Sequence, residues 1–167
     1  MRSSKQPNKG LCPFLLLWTM ALLSACAASP RSAPNAAERA PLPNLTGTVW
    51  QLRSIQSMAD EQPPLTVDQP ERYTLQFQDD GRLMLRLDCN RGTGSWQATP
   101  SASGDSGQLT IGPVAMTRMY CPPPSLDTRV ARDLALIRSY LLRDGNLYLS
   151  LMADGGIYQW QPSRGEQ

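Results

Sequence analysis

Strict alternation between apolar and polar residues on both sides of a short turn limits the fold of this chain more than any other feature. In RYTLQF, Tyr73, Leu75 and Phe77 fall on one side of the chain. After the turn QDDG, the segment RLMLRLDC keeps every second position from Leu83 to Cys89 apolar. A period of two indicates strands with one buried face, and an Asp-Gly turn between two such strands is typical of a hairpin. The sequence therefore predicts an antiparallel hairpin here.

Shorter stretches with the same alternation predict further strands. They cover residues 49–55, 94–98, 108–111, 146–152 and 156–161, and the last two are joined by the turn ADGG. Closely spaced strands separated by turns favour a single, mainly antiparallel sheet. The segment 45–161, about 115 residues long, is large enough to bury a core of its own.

One segment departs from this pattern. After three prolines at 122–124, Ser125 can cap a helix whose apolar side chains are spaced by four, four and three residues. These are Leu126, Val130, Leu134 and Ile137, and the side chains predicted to lie mostly on the outside are Arg129, Arg132, Asp133 and Arg138. We predict a helix that ends near Ser139. The predicted fold class is therefore mainly β (α+β): a single domain with a curled antiparallel sheet or partial barrel and one helix packed across an opening.

The N-terminus is typical of an exported protein. MRSSKQPNKG carries three basic residues and no acid, and the thirteen residues that follow are almost all apolar. This apolar stretch is shorter than the roughly 20 residues that a membrane-spanning helix needs, so the pattern indicates a secretory signal. The segment LSAC at 23–26 resembles the lipobox, where bacterial lipoprotein signals are cut before a cysteine. We predict a signal peptide over residues 1–25, in preference to a buried amphipathic helix that ends in a chance cysteine.

Cys26 would then be the first residue of the mature protein. The lipobox resemblance implies acyl chains on its thiol and amine, and two or more chains anchor a protein stably in a membrane. Ala27 rather than Asp follows, which by similarity to known sorting rules predicts the outer membrane, on its periplasmic face. Residues 26–43 are mostly Ala, Pro and Ser and have too little apolar area to fold. They are predicted to form a flexible tether that reaches roughly 50 Å when extended.

Composition excludes several classes of function. The chain contains no histidine, so the Ser-His-Asp and Cys-His arrangements of nucleophilic enzymes and almost every common catalytic zinc site are excluded. Removal of the leader takes away three of the 16 basic residues and none of the 14 acidic ones, which leaves a nearly neutral chain. Without a basic block, nucleic-acid binding is not expected. We expect no enzyme activity, no metal and no cofactor.

Two motifs that look functional have simpler interpretations. Ser106, in GDSG, lies in what we interpret as a small polar loop with no base beside it. Gly92-Thr93-Gly94 lacks the Lys-Ser or Lys-Thr of a phosphate-binding loop, and we interpret its glycines as allowing a sharp turn between two strands. Neither motif predicts a catalytic or nucleotide-binding site.

Cys89 and Cys121 are the thiols left in the folded part once Cys12 is removed with the leader and Cys26 is acylated. Two cysteines without histidine cannot complete a typical zinc site. An exported protein with two such thiols most simply forms a disulfide, and closure of the loop between them would stabilise the fold by roughly 3.7 kcal/mol. Two buried free thiols are the alternative interpretation, and a reactive thiolate is a third.

The motifs around these two cysteines resemble a known family. CNRGTG at 89–94 is followed by AMTRMYC at 115–121, by the predicted helix and by GNLYLSL at 145–151, and TVWQL at 48–52 precedes them. This combination is similar to the META-domain (HslJ-like) family over residues 44–162, and it leaves 163–167 as a C-terminal tail. The resemblance implies a largely antiparallel β domain with one helix and an association with envelope stress, antibiotic tolerance and virulence. It implies no catalytic residue.

Three motif residues, Asn90, Thr117 and Arg118, are candidates for a functional role. In the alternative interpretation, Asn90 and Thr117 hydrogen-bond the backbone of the turns beside the cysteines, and Arg118 pairs with Asp88 or Asp127. Members of the family typically have glycine before the Cys-Asn pair, where this chain has Asp88. Aspartate is a poorer residue than glycine wherever the backbone needs a positive φ.

The lipobox and the absence of a histidine to act as a catalytic base favour a non-catalytic outer-membrane lipoprotein. It would bind an envelope protein and support the envelope under stress. The alternative function is binding of a small apolar ligand such as a lipid, as in pilot-type lipoproteins, inside a partial barrel. The lining residues would be Leu83, Leu85, Leu87, Leu149 and Trp160. Inhibition of a lysozyme-like hydrolase is a third hypothesis. The predicted partners are therefore the membrane, through Cys26, and either an envelope protein or a small apolar ligand.

Overall fold

The computed structural model describes residues 45–58, 63–153 and 155–163. All of them fall in one of the two units into which the chain divides, Ala36–Gln167. The predicted signal peptide, Cys26, the tether and residues 164–167 of the predicted tail lie outside the described residues. No helix within the described ranges is long and apolar enough to cross a membrane.

Ten strands and one α-helix make up the described domain. In chain order they are β1 (Val49–Gln56), β2 (Leu65–Thr66), β3 (Tyr73–Phe77), β4 (Arg82–Leu87), β5 (Asn90–Pro100), β6 (Ser106–Ile111), β7 (Ala115–Met116), α1 (Asp127–Leu134), β8 (Ile137–Arg143), β9 (Asn146–Leu151) and β10 (Ile157–Pro162). Eight strands are hydrogen-bonded in the order β1-β3-β4-β5-β6-β8-β9-β10, and β10 pairs back with β1. The two-residue strands β2 and β7 add to β1 and β5.

The result is a closed antiparallel barrel, which confirms the mainly β fold with one helix and corrects the expectation of a curled sheet or partial barrel. β1 and β10 pair along their length, from Trp50 opposite Pro162 to Gln56 opposite Ile157. This seam satisfies backbone groups that two edge strands would otherwise expose. Closure therefore removes the open side that a curled sheet would have.

The predicted hairpin is formed by β3 and β4. Tyr73 lies opposite Leu87 and Phe77 opposite Leu83, and all four side chains are buried. Inward residues of the other strands join them in one continuous core. The five residues expected to line a ligand cavity, Leu83, Leu85, Leu87, Leu149 and Trp160, are each at most 5% exposed. They fill the space that an acyl chain would need, which argues against ligand binding inside the barrel.

β5 begins at Asn90 and passes straight through the Gly-Thr-Gly segment, so the expected sharp turn between two strands is wrong. The structure explains the glycines by close packing instead. A Cβ atom at Gly92 would lie 2.8 Å from the carbonyl oxygen of Ala115, and one at Gly94 would lie 3.0 Å from Cγ2 of Val114. Glycine in β5 therefore lets the segment that contains β7 cross close against the strand.

Gly92→Ala is expected to lower the free energy of unfolding by about 1–3 kcal/mol, the usual cost of forcing an extra carbon into a packed region. The added methyl would also lie 3.2 Å from Cβ of Met116, so β7 would have to shift. Thr93→Ala, at an exposed position on the same strand, is the control and should have a smaller effect. Urea denaturation measures both, and wild-type stability in Gly92→Ala would contradict the packing argument.

The loop after β5 is shorter than expected. Ser106 and Gly107 are the first residues of β6 and pair with β8, so the interpretation of the GDSG segment as loop is wrong for these two residues. A Cβ atom at Gly107 would lie 2.3 Å from the carbonyl oxygen of Thr99, so glycine is needed where β6 starts beside β5. The Ser106 hydroxyl donates to Ser101 Oγ (3.2 Å), which gives this serine a structural partner.

Helix α1 is shorter than its apolar stripe predicts. It ends at Leu134, and Ile137, expected in the helix, is the first residue of β8. The predicted end near Ser139 is wrong because this segment pairs with β9 instead of continuing the helix. The prediction that Ser125 caps the helix is wrong, because the N-cap residue is Leu126 and no side chain makes a capping hydrogen bond. Ser125 lies one residue earlier, and its hydroxyl oxygen accepts a hydrogen bond from the Asp127 N–H (3.3 Å).

Asp133, expected to face solvent, is buried between α1 and the barrel. Its carboxylate accepts a 2.6 Å hydrogen bond from the Tyr158 hydroxyl and lies 2.9 Å from Nε of Arg132. At the other end of the helix, the Leu126 N–H donates to the Tyr73 hydroxyl (3.0 Å). The two tyrosines thus hold α1 at the end of the barrel where β3 and β10 begin.

The contact between Tyr158 and Asp133 predicts how stability depends on pH. Burial and the hydrogen bond to Asp133 raise the pKa of Tyr158 above its usual value. In the unfolded chain this tyrosine ionises near pH 10, whereas in the folded protein it stays neutral, so the free energy of unfolding falls as the pH rises above about 10. Tyr158→Phe should remove this part of the decline. Urea denaturation between about pH 9 and 11 tests it, and an equally steep decline in the variant would contradict it.

Candidate functional site

A disulfide joins the two sequence motifs at the end of the barrel where α1 lies. Cys89 belongs to the two-residue turn between β4 and β5, and Cys121 lies in the connection from β7 to α1. Their sulfurs are bonded, and their Cα atoms are 5.7 Å apart. Cys121 is buried and Cys89 is half-buried. Of the three interpretations that the sequence left open, the structure has the disulfide, so neither sulfur is a free nucleophile.

The turn requires a backbone angle at Asp88 that favours glycine. The φ of Asp88 is +59°, in the left-handed region. Aspartate enters this region more readily than most residues do. Its side chain is 2% exposed and forms an ion pair with Arg72, and its N–H donates to the Arg72 carbonyl (2.7 Å). Arg72, the residue immediately before β3, therefore holds this turn in place through its side chain and its carbonyl group.

Asn90 is the centre of the hydrogen-bond network beside the disulfide. Its side chain is 1% exposed and uses its full hydrogen-bonding capacity. Oδ1 accepts from the Thr117 hydroxyl (2.9 Å) and the Met119 N–H (2.8 Å). Nδ2 donates to the Met119 carbonyl (3.0 Å) and to Asp127 Oδ2 (3.1 Å). Asn90 thereby joins β5 to the connection after β7 and to the start of α1, and no group of this amide is left for a substrate.

Thr117 completes the network on the side of β5. Its hydroxyl oxygen accepts a hydrogen bond from the Arg91 N–H (3.0 Å), and its own N–H donates to the Arg91 carbonyl (3.0 Å). Asn90 and Thr117 thus fix the backbone beside the two cysteines, as the alternative interpretation of these residues expected. We refer to residues 117–121 as the display loop. This network and the disulfide hold it in place.

The display loop presents an apolar tip to solvent. Met119 is 63% exposed and Tyr120 83%, the largest values among the exposed large hydrophobic residues of the described chain. An open cleft of about 430 Å³ lies beside the tip, and its lining includes Met116, Thr128 and Ala131. Sequence reasoning did not single out Met119 or Tyr120. The signal that could have identified them is a Met-Tyr pair outside any alternating segment, between the motif threonine and three prolines.

Arg118 is exposed on the same loop and does not make the ion pair predicted for it. Asp88 pairs with Arg72, and the Asp127 carboxylate accepts a hydrogen bond from Asn90. The Arg118 side chain has no hydrogen bond or ion pair with any residue of the described ranges. The prediction for Arg118 is therefore wrong, because the geometry of the turn assigns both acids to other partners. Cys26, the predicted lipidation site, lies outside the described residues.

Comparisons with known proteins agree with this architecture. The family model of the META domain matches residues 43–163. An NMR structure of a protein from Burkholderia xenovorans is similar, with 20% identity over 79% of this chain and 97% of that one and a TM-score of 0.54. A crystal structure of a DUF4847 family protein from Bacteroides vulgatus has 13% identity over 71% and 94% of the two chains and a TM-score of 0.51. At these identities the two structures support the fold alone.

The comparison with curated proteins found no significant match. The family model, in contrast, spans every strand of the barrel, both cysteines and the display loop. The chain belongs to the META-domain family.

Proposed function

We propose that this protein is a non-catalytic lipoprotein, anchored in the outer membrane through acyl chains on Cys26, that supports envelope stress tolerance by binding another envelope protein. The observation that carries the proposal is the exposure of Met119 and Tyr120 on the display loop, which the disulfide and Asn90 hold in one conformation. Tyr, Met and Arg are enriched in protein interfaces. A loop that is already ordered loses little further entropy when a partner binds.

The chemistry around the display loop supports binding rather than catalysis. Both sulfurs are bonded to each other, and the Asn90 amide has no hydrogen-bonding group to spare. The carboxylate of Asp127 accepts hydrogen bonds from Asn90 and Ser125. The chain has no histidine to act as a general base near neutral pH. These polar groups therefore maintain the loop and do not form a nucleophile with a base.

The anchoring part of the proposal rests on the leader, the lipobox and the tether in the sequence. Mass spectrometry of the N-terminal peptide from the outer-membrane fraction should find Cys26 as the first residue, carrying acyl chains. Cys26→Ala should abolish both the cleavage and the acylation. Recovery of an uncut, lipid-free precursor from the cytosol would contradict the anchoring.

In-cell photo-crosslinking tests the partner. A photoreactive amino acid at position 120 of the full-length chain should yield a discrete adduct with an envelope protein when cells are under envelope stress. The matched control places the same group at Leu141, which is 38% exposed on β8 in the barrel wall, and should yield no such adduct. Met119→Ser should reduce the adduct from position 120, because it removes half of the apolar tip.

Two results would count against partner binding by the display loop. One is the absence of any specific adduct from position 120, both in stressed and in unstressed cells. The other is the same set of adducts from positions 120 and 141, which would indicate random encounters with the surface.

A further inference from the structure

The barrel wall has a one-sided distribution of charge. Its strands contain six arginines and, within these described elements, no Asp or Glu. Three of the arginines have an acid or a carbonyl group beside them: Arg82 pairs with Asp80, Arg143 lies near Asp144, and Arg138 donates to a backbone carbonyl. The arginines Arg86 and Arg91, on the neighbouring strands β4 and β5, have no acidic partner of this kind in the described part of the chain.

Arg86 and Arg91 lie directly opposite each other on β4 and β5. The N–H and the carbonyl of Arg91 both bond to Thr117 on the other side, so the two arginines form a non-hydrogen-bonded pair. In such pairs the Cβ atoms are about 4.5–5.5 Å apart. Because Leu85 and Leu87 are buried, the alternate residue Arg86 points away from the core. Two like charges therefore stand side by side on the outer face, which destabilises a sheet.

Nothing within the described residues neutralises this pair. The nearest acid along the turn, Asp88, forms its ion pair with Arg72. Nε of Arg86 donates to the Asp88 carbonyl (3.1 Å), which orients the guanidinium group and leaves its two terminal nitrogens without a described partner. The Arg91 side chain has no hydrogen bond or ion pair in the described ranges. One oriented and one unpaired guanidinium group thus occupy neighbouring positions.

The groups around the pair are also suited to an anion. Thr74 lies opposite Arg86 on the far side of β4 and carries a hydroxyl group. Arg118, the unpaired cation of the display loop, follows Thr117, which is bonded to Arg91. The local field is therefore positive, and an anion bound there would relieve the repulsion between Arg86 and Arg91.

We propose that Arg86 and Arg91 form a binding site for a phosphate monoester group, supplied by a lipid headgroup or by free phosphate. A carboxylate would neutralise one guanidinium group only, whereas a phosphate monoester carries about −1.5 to −2 charges at pH 7 and matches both. The planar fork of a guanidinium group also fits two phosphate oxygens at once. This site lies on the barrel wall and does not depend on the partner proposed for the display loop.

Titration of the mature chain carrying Cys26→Ser, at constant ionic strength, tests the site. The probes are inorganic phosphate and phosphatidylcholine vesicles that contain phosphatidic acid, a phosphomonoester lipid. Arg86→Gln/Arg91→Gln should weaken binding of the better probe by about tenfold or more, because charged hydrogen bonds are lost. The matched control is Arg82→Gln, on the same face of β4 but paired with Asp80, which should bind as the wild type does. Unchanged binding by the double variant, or an equal loss in the control, would overturn the site.

Vesicles of phosphatidylglycerol at the same surface charge separate the two sources. Preference for phosphatidic acid over phosphatidylglycerol identifies the lipid headgroup, and saturable binding of inorganic phosphate without that preference identifies free phosphate. Equal binding to both vesicles with no response to inorganic phosphate would mean unspecific attraction to charge and would overturn the proposal.

Stability gives an independent measurement. In the absence of phosphate, Arg91→Gln should raise the midpoint of urea unfolding, because it removes the like-charge repulsion. The better probe should raise the midpoint of the wild type and leave that of Arg91→Gln unchanged, since a ligand stabilises only the state that binds it. An equal rise in both proteins would place the anion elsewhere and overturn the assignment to this pair.

Discussion

Replacing Cys89 by Ser and Cys121 by Ala in one variant is expected to lower the free energy of unfolding by about 3.7 kcal/mol. The bond links residues with a sequence separation of 32, and the chain-entropy relation gives this figure for the freedom that the unfolded chain regains. Urea denaturation measures the loss. The slope of the free energy against urea concentration should also increase, because an unlinked unfolded chain exposes more surface.

Reduction of the wild type with dithiothreitol is the matched control, since it opens the same bond and leaves both sulfur atoms in the protein. Both proteins should lose stability to a similar extent, and the hydrogen-bonded amides of Thr117 and Met119 should lose protection from hydrogen exchange. If both losses were below about 1 kcal/mol, the hydrogen bonds of Asn90 alone would fix the display loop and the entropic argument would fail.

Asn90→Ala is expected to lower the free energy of unfolding by about 3 kcal/mol, with the disulfide still intact. Besides its contacts with the two sulfur atoms, the amide makes hydrogen bonds to Thr117, to Asp127 and to both backbone groups of Met119. Its removal leaves these groups without their partner in a partly buried region, and each such group costs free energy. Urea denaturation gives the size of the effect.

Thr117→Val is the matched control because it removes one hydroxyl from the same network. It should cost about 1 kcal/mol, and the double variant should cost less than the sum of the two single variants, since both remove the bond between Asn90 and Thr117. If Asn90→Ala cost no more than Thr117→Val, Asn90 would not be the centre of the network.

The hairpin of β3 and β4 could be predicted because its information is local. Every second residue from Tyr73 to Leu87 is apolar on either side of the turn, and the turn residues Asp80 and Gly81 adjoin the strands they connect. Gly81 adopts a φ of +81°, the conformation for which glycine is suited. Strand pairing across so short a turn has few alternatives.

Closure of the barrel could not be predicted in the same way. Trp50 pairs with Pro162, and no property of either segment identifies the other as its partner. The short helix has the same cause, because Ile137 continues the apolar stripe of a helix but also begins the alternation of β8. Contacts distant in sequence decided between two patterns that the local sequence allowed.

The site shows the same division between local and distant information. The motifs identified Cys89 and Cys121 as a pair, while the position of the turn at Asp88-Cys89 and the partners of the charged residues depended on the folded geometry. Arg72 lies 16 positions before Asp88 and precedes β3, so its pairing follows from the β3–β4 register and not from proximity along the chain. Arg118 lies only nine positions before Asp127, yet it forms an ion pair with neither Asp127 nor Asp88.

The seam between β1 and β10 has a consequence for the order of events during synthesis. The ring cannot be completed until Ile157–Pro162 has left the ribosome, because those residues supply the last partner of β1. A nascent polypeptide that lacks these residues therefore cannot contain the closed barrel. This order suits the export that we propose, because a translocon that threads extended chains would meet no closed barrel in the incomplete chain.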